Sequence, residues 1–221
     1  MNDASSIFSA DLAGVVVGET AISDVQGDAG LLSYRGIDIN ALIGVPFLHV
    51  AWLVIFGDWP TEEEKRHLRT FMCNHARLSH PEQDLMGHIP RDLHPMLMLQ
   101  GVIPLLEMPA EETLGKGMDA EHGLFIAAKI SALIAAHYRL GQNKVILHPT
   151  AGKLRHDNFL TMFHGRTPTT EQVRMLDAAQ ILQMEHSFNA GTFAGRVCAS
   201  TLAPIQSSIS ASIGTLFGRL H

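Results

Sequence analysis

Apolar residues recur at helical spacing along most of the chain, behind a short stretch patterned for strands. Residues 12–35 set brief apolar runs between turn residues: Val15-Val16-Val17, Thr20 to Ser23, Gly27-Asp28, then Leu31-Leu32-Ser33-Tyr34. A small hairpin is predicted there. From Ile37 onward the period becomes helical. The nearly unbroken apolar run 49–56 stops at Gly57 and predicts a buried helix with a glycine cap. Thr61 followed by Glu62, Glu63 and Glu64 predicts an N-capped helix to about Ala76, its acids at the positive helix start. Pro81 and Pro90 punctuate the next stretch. An apolar helix is predicted from His94-Pro95-Met96 through Leu106, a polar surface loop with room for a short helix over 109–122, and a strong helix over 124–138 with Lys129 its only charge. Residues 139–157 read as an irregular, basic-leaning loop, and 158–163 as a short helix closed by Gly165.

The clearest helix starts at Thr169, which forms a capping-box pattern with Gln172. Val173, Leu176, Ile181 and Met184 lie close to one face, and the helix is expected to end near His186. A second helix follows, with Asn189 near its start and Gly191, Ala194, Gly195 and Ala199 inside it. A third begins at Pro204 and carries Ile205, Ile209, Ile213 and Phe217 at intervals of four. The small residues between them predict close helix–helix approach. Residues 197–218 carry no charge and are long enough to span a bilayer. Pro204, Gln206 and the many Ser and Thr favour buried helices instead, so no membrane partner is expected. No repeat or linker is evident. One mostly helical domain with a short N-terminal hairpin is the simplest reading.

Composition narrows the functional classes. Of 221 residues, 46% are hydrophobic and 17% charged, which describes a globular chain with apolar surface to hide in a core or against a partner subunit. The net charge of -6 argues against nucleic acid as the main partner, although a locally basic pocket for an anion fits beside it. Cys73 and Cys198 form no CxxC pair, and the N-terminus lacks a basic start followed by an apolar run. A reducing cytoplasm without a signal peptide is the expectation. Phosphate-loop and serine-hydrolase motifs are missing. Thirteen histidines include no HExxH, and no metal is expected.

Chemistry gathers at Glu185-His186-Ser187-Phe188-Asn189-Ala190-Gly191-Thr192, where one predicted helix stops and the next starts. Free amides at a helix N-terminus suit a carboxylate. The residues alone favour a structural reading, with Asn189 capping the helix and His186 satisfying a local hydrogen bond.

Taken in order, several segments resemble the citrate synthase family. Leu32-Ser33-Tyr34-Arg35-Gly36-Ile37 looks like its "L-x-YRG". Phe56-Gly57-Asp58-Trp59-Pro60-Thr61-x-x-Glu64 resembles "G-x-LPT-x-x-E", and His94-Pro95-Met96 resembles "HPM". The segment from Asn158 to Pro168 resembles "NFL-x-M-x-G-x-x-P", and that from His186 to Val197 follows "H-x-x-NASTF-x-x-RV". Gly218-Arg219-Leu220-His221 looks like the start of "GPLHGGAN". The resemblance implies a multi-helical large domain that condenses an acyl-CoA with a 2-oxo acid, usually acetyl-CoA with oxaloacetate. A 2-methylcitrate synthase, using propionyl-CoA, shares these motifs. No permanently bound cofactor is implied, since acyl-CoA is a substrate, and a homodimer is expected. His186 would hold the oxaloacetate, Asn189 would support the site beside it, and His221 would hydrogen-bond the thioester oxygen and stabilise the enol.

Departures accompany the match. The family's histidine at the His221 position is followed by a long segment that carries a second substrate histidine, carboxylate-clamping arginines and the aspartate base. This chain is therefore expected to be an incomplete large domain over 1–221, its remainder lost or supplied by a separate chain, or else an inactive scaffold or carboxylate-binding module. A terminal His221 would have its own carboxylate beside the imidazole, raising its pKa. Gly191 stands where a serine is usual, Arg219 where a proline is usual, and Glu185 where an aspartate is usual.

Overall fold

The computed structural model describes residues 17–219. A three-stranded antiparallel sheet leads, formed by β1 (Ser23–Gln26), β2 (Leu31–Tyr34) and β3 (Ile37–Asp38). Ser23 pairs with Tyr34, and Tyr34 with Ile37. The predicted hairpin is thus present around Gly27-Asp28, but a third strand occupies the place where the helical period was expected to begin. Val15 and Val16 lie outside the described residues, and Val17 belongs to no strand. Between β2 and β3 only Arg35 and Gly36 turn the chain, at φ 50° and 77°. Two successive positive φ values match the twist of a tight hairpin. The Arg35 guanidinium donates to the Val54 carbonyl at 2.8 and 3.2 Å, which holds this unusual backbone in place.

Ten α-helices follow among the described residues. Helix α1 (Ile39–Leu42) is a single turn, and α2 (Phe47–Phe56) ends at Gly57 in the left-handed region, φ 93°, as the sequence predicts. Helix α3 (Glu62–His75) opens with a full capping box, the Thr61 side chain accepting from the Glu64 amide and Glu64 from the Thr61 amide. The next helix, α4 (His80–His88), has no counterpart in the sequence reading. Pro81 is no breaker here, because it sits in the first turn, where a missing N–H costs nothing. Ser79 and Glu82 form a second capping box around it. Helix α5 (Pro95–Val102) passes into one 3-10 turn that ends at Leu105.

Helix α6 (Met118–Gly141) is the axis of the larger core. It starts earlier than predicted, inside the supposed surface loop. Glu121 explains this, since its buried carboxylate accepts from the amides of Thr113 and Leu114 and ties the loop to the helix. Leu133 and Ile126 are wholly buried, each contributing about 2 kcal/mol by burial. Lys129 is buried beside them, donating to Glu82 at 2.7 Å and to the Arg77 carbonyl at 2.9 Å. Helix α6 is long and apolar enough to cross a membrane, but 67% of its apolar window is buried by the other helices.

Helix α7 (Arg155–His164) begins three residues before its predicted start and ends at Gly165. Helix α8 (Thr170–Leu182) has the predicted Thr169–Gln172 capping box but stops short of His186. Helices α9 (Ala190–Ser200) and α10 (Ile205–Leu216) are separated by a break at 201–204. The uncharged stretch 197–218 is therefore not one span. A smaller core joins Tyr34, Leu42, Val50 and Leu53 to Ile181 of α8.

Candidate active site

The connection from α8 to α9 is fixed at both ends. Tyr34, wholly buried in β2, donates its hydroxyl hydrogen to the Ile181 carbonyl at 2.8 Å and accepts from the Glu185 amide at 3.3 Å. Burial raises the pKa of this phenol, so the hydroxyl stays protonated and able to donate. At the other end Asn189 caps α9, its side-chain oxygen accepting from the Thr192 amide at 2.9 Å. Between the anchors Ser187 adopts φ 74°, a left-handed kink. Glu185 accepts from the Ser187 amide at 2.9 Å, and its second carboxylate oxygen is shielded without a partner among the described residues.

This geometry decides the two structural roles expected of the cluster. Asn189 is the cap. His186 is exposed and hydrogen-bonds to no described residue, so it satisfies no local contact. Both line a cavity of about 300 Å³, shared with Gly191, Thr192 and Ser212 and floored by Ile130, Ile209, Ile213 and Leu216. The first amides of α9 have no intrahelical partner, which gives the cavity rim positive character. Arg196, one turn further along α9, lies 4.9 Å over the Phe188 ring.

Helix α10 forms the opposite wall and approaches α9 closely. A Cβ at Gly191 would come within 3.2 Å of both the Asn189 oxygen and the Ser212 carbonyl. At Gly195 it would meet the Ser212 hydroxyl at 2.3 Å. Small residues here let two backbones share one wall, as the sequence pattern predicts. Gly191 in place of the family's usual serine belongs to that packing. His94 links the far end of α10 to the core: its Nδ1 accepts from the Met96 amide at 3.2 Å, and its ring lies 4.5 Å from that of Phe217. The "HPM" segment thus holds the end of α10 that leads to His221. His221 itself lies outside the described residues. Among the described residues no cluster of His, Cys, Asp or Glu could hold a metal ion.

Residues 11–221 match the family model described as citrate synthase, C-terminal domain. The chain belongs to the citrate synthase family. Over its whole length it is 33% identical to a 2-methylcitrate synthase of Shewanella oneidensis, covering 59% of that protein. It is 31% identical over 98% of its length to a citrate synthase of Synechocystis, covering 55% of it. The fold matches the crystal structure of a citrate synthase from Pyrobaculum aerophilum with a TM-score of 0.85 at 29% identity, over 96% of this chain and 55% of that one. A citrate synthase from Thermoplasma acidophilum, in ternary complex with carboxymethyl coenzyme A and oxaloacetate, matches with the same TM-score at 25% identity, over 94% of this chain and 55% of that one. This citrate synthase-family chain therefore spans a little over half the length of the relatives it matches. The "YRG" resemblance includes Tyr34 but assigns it no role. Its partners lie 147 and 151 residues away, beyond the reach of any local pattern.

Proposed function

We propose that this chain is the large-domain part of an acyl-CoA condensing enzyme that joins acetyl-CoA, oxaloacetate and water into citrate and CoA. The observation that carries this reading is the exposed, uncommitted His186 beside the capped start of α9, facing a cavity rather than the core. There His186 would donate to a carboxylate or keto oxygen of oxaloacetate. Asn189 would act mainly through position, because its side-chain oxygen is spent on the cap. By the family resemblance, His221 would hydrogen-bond the thioester oxygen, where enolate charge develops. The proton-abstracting base and the arginine clamp are not among the residues that line this cavity. Turnover would therefore need further sequence, in the same chain or another, within a homodimer.

Propionyl-CoA as donor is the second reading, supported by the 33% identity to the Shewanella oneidensis 2-methylcitrate synthase. A free-thiol assay decides the main point. The 221-residue chain is incubated with acetyl-CoA or propionyl-CoA, with and without oxaloacetate. No release from this chain alone, with oxaloacetate-dependent release once the family's C-terminal segment is added in trans, is the expected result. Release from the chain alone would show that it holds its own base. No release in either case, together with no oxaloacetate binding, would leave the scaffold role.

A further inference from the structure

On both sides of His186 the backbone is tied down, while the imidazole bonds to no described residue. The Glu185 amide donates to the Tyr34 hydroxyl at 3.3 Å. The Ser187 amide donates to the Glu185 carboxylate at 2.9 Å, so the side chain of residue 185 reaches across His186 to the residue beyond it. The Ser187 carbonyl accepts from the Asn189 amide at 3.0 Å, and Asn189 closes the run as the cap of α9. Phe188 adds packing, since a Cβ at Gly18 would stand 3.2 Å from its ring.

Two features of this clasp work against stability. Ser187 is a non-glycine residue at φ 74°, in the left-handed region that side chains disfavour. The other Glu185 oxygen is shielded from solvent without a partner among the described residues, so part of a carboxylate is desolvated in making one hydrogen bond. Neither feature is required to cap α9. Backbone strain and under-used shielded groups gather where a fold holds a functional group in place. Here both lie at the two residues that flank His186.

We propose that Glu185 is a positioning residue for His186. Its carboxylate fixes the Ser187 amide and the left-handed kink, and so presents the imidazole to the cavity where oxaloacetate would bind. The proposal rests on the condensing-enzyme reading above. Glu185 does not itself line that cavity, so it acts through the backbone and not by touching substrate. Without the tie, residues 186 and 187 sample several backbone states and only a fraction of them present the histidine. Apparent affinity then falls by that fraction.

The test compares Glu185→Ala and Glu185→Gln with the wild-type 221-residue chain in two measurements. Backbone nitrogen-15 relaxation reads the order of His186 and Ser187 with no ligand present, and calorimetry reads oxaloacetate affinity. In Glu185→Ala the order at these two residues is expected to fall, and the affinity to drop roughly threefold to tenfold, as one lost hydrogen bond implies. Glu185→Gln keeps an oxygen acceptor for the Ser187 amide, so it should retain most of both. Unchanged order in Glu185→Ala, unchanged affinity despite lost order, or equal losses in the two variants would each overturn the proposal. A failure of the underlying reading shows in other samples. A wild-type chain that binds no oxaloacetate, or binds it no better than His186→Ala does, would overturn the condensing-enzyme reading and the proposal with it.

Discussion

Gly195 faces Ser212 so closely that a Cβ at position 195 would lie 2.3 Å from the serine hydroxyl, which is itself bonded back to the Ser208 carbonyl at 3.0 Å. Alanine at 195 gains helix propensity but must displace that hydroxyl. Gly195→Ala is expected to destabilise the protein by about 1–2 kcal/mol. Ser212→Ala alone should be nearly neutral, and the double variant should recover much of the loss. A double-mutant cycle from urea denaturation measures the coupling. Additive effects would mean that the α9–α10 contact is looser than described.

Tyr34→Phe removes the donor to Ile181 and the acceptor for Glu185 while keeping the ring. The expected cost is about 1–2 kcal/mol, seen as a lower urea midpoint. Faster amide exchange should be confined to the α8–α9 connection. The pH dependence has a definite sign. The folded-state pKa of Tyr34 is raised, so its contribution is complete below the ordinary tyrosine pKa of about 10 and is lost as pH rises through the folded value. Wild-type stability should fall above about pH 10 more steeply than that of Tyr34→Phe.

At the other end of the pH scale stands Glu64. The Lys116 ammonium, then the two Thr61 hydrogen bonds, lower its pKa to about 2. Its contribution is therefore present above the ordinary carboxylate range and lost as pH falls from about 4.5 towards 2. The pair lies near the surface, so the gain is expected to stay at or below about 1 kcal/mol and to shrink in salt. Lys116→Met should raise the Glu64 pKa in a carbon-detected NMR titration and move acid unfolding to higher pH.

His186→Ala should separate function from stability. The side chain is exposed and bonded to no described residue, so the melting temperature is expected to change little, within about 0.5 kcal/mol of stability. Oxaloacetate binding, followed by calorimetry, should drop at least tenfold. A large loss of stability would instead assign His186 to the fold.

What the sequence made readable was local. Gly57, Thr61 and Thr169 each signal a helix end through neighbours within four residues, and all three act as read. The small residues of α9 and α10 announced close packing. Helix α4 was missed because Pro81 looked like a break, although Ser79 and Glu82 already spelled its capping box. The early start of α6 was missed because only the fold brings Glu121 to the Thr113 and Leu114 amides. The same limit applies at the sites. Asn189 was readable as a cap, whereas the partners of Tyr34 come from a distant segment. Their meaning exists only once β2 and α8 have met.

The bond from Tyr34 to Ile181 also sets an order in time. β2 leaves the ribosome 147 residues ahead of its acceptor. At about 5–20 residues per second, roughly 7–30 s of synthesis pass before the two can meet. Until then the Tyr34 hydroxyl must be satisfied by water, and the small core around it lacks its α8 wall. The loop that carries His186 consequently cannot take its anchored shape until α8 has been made.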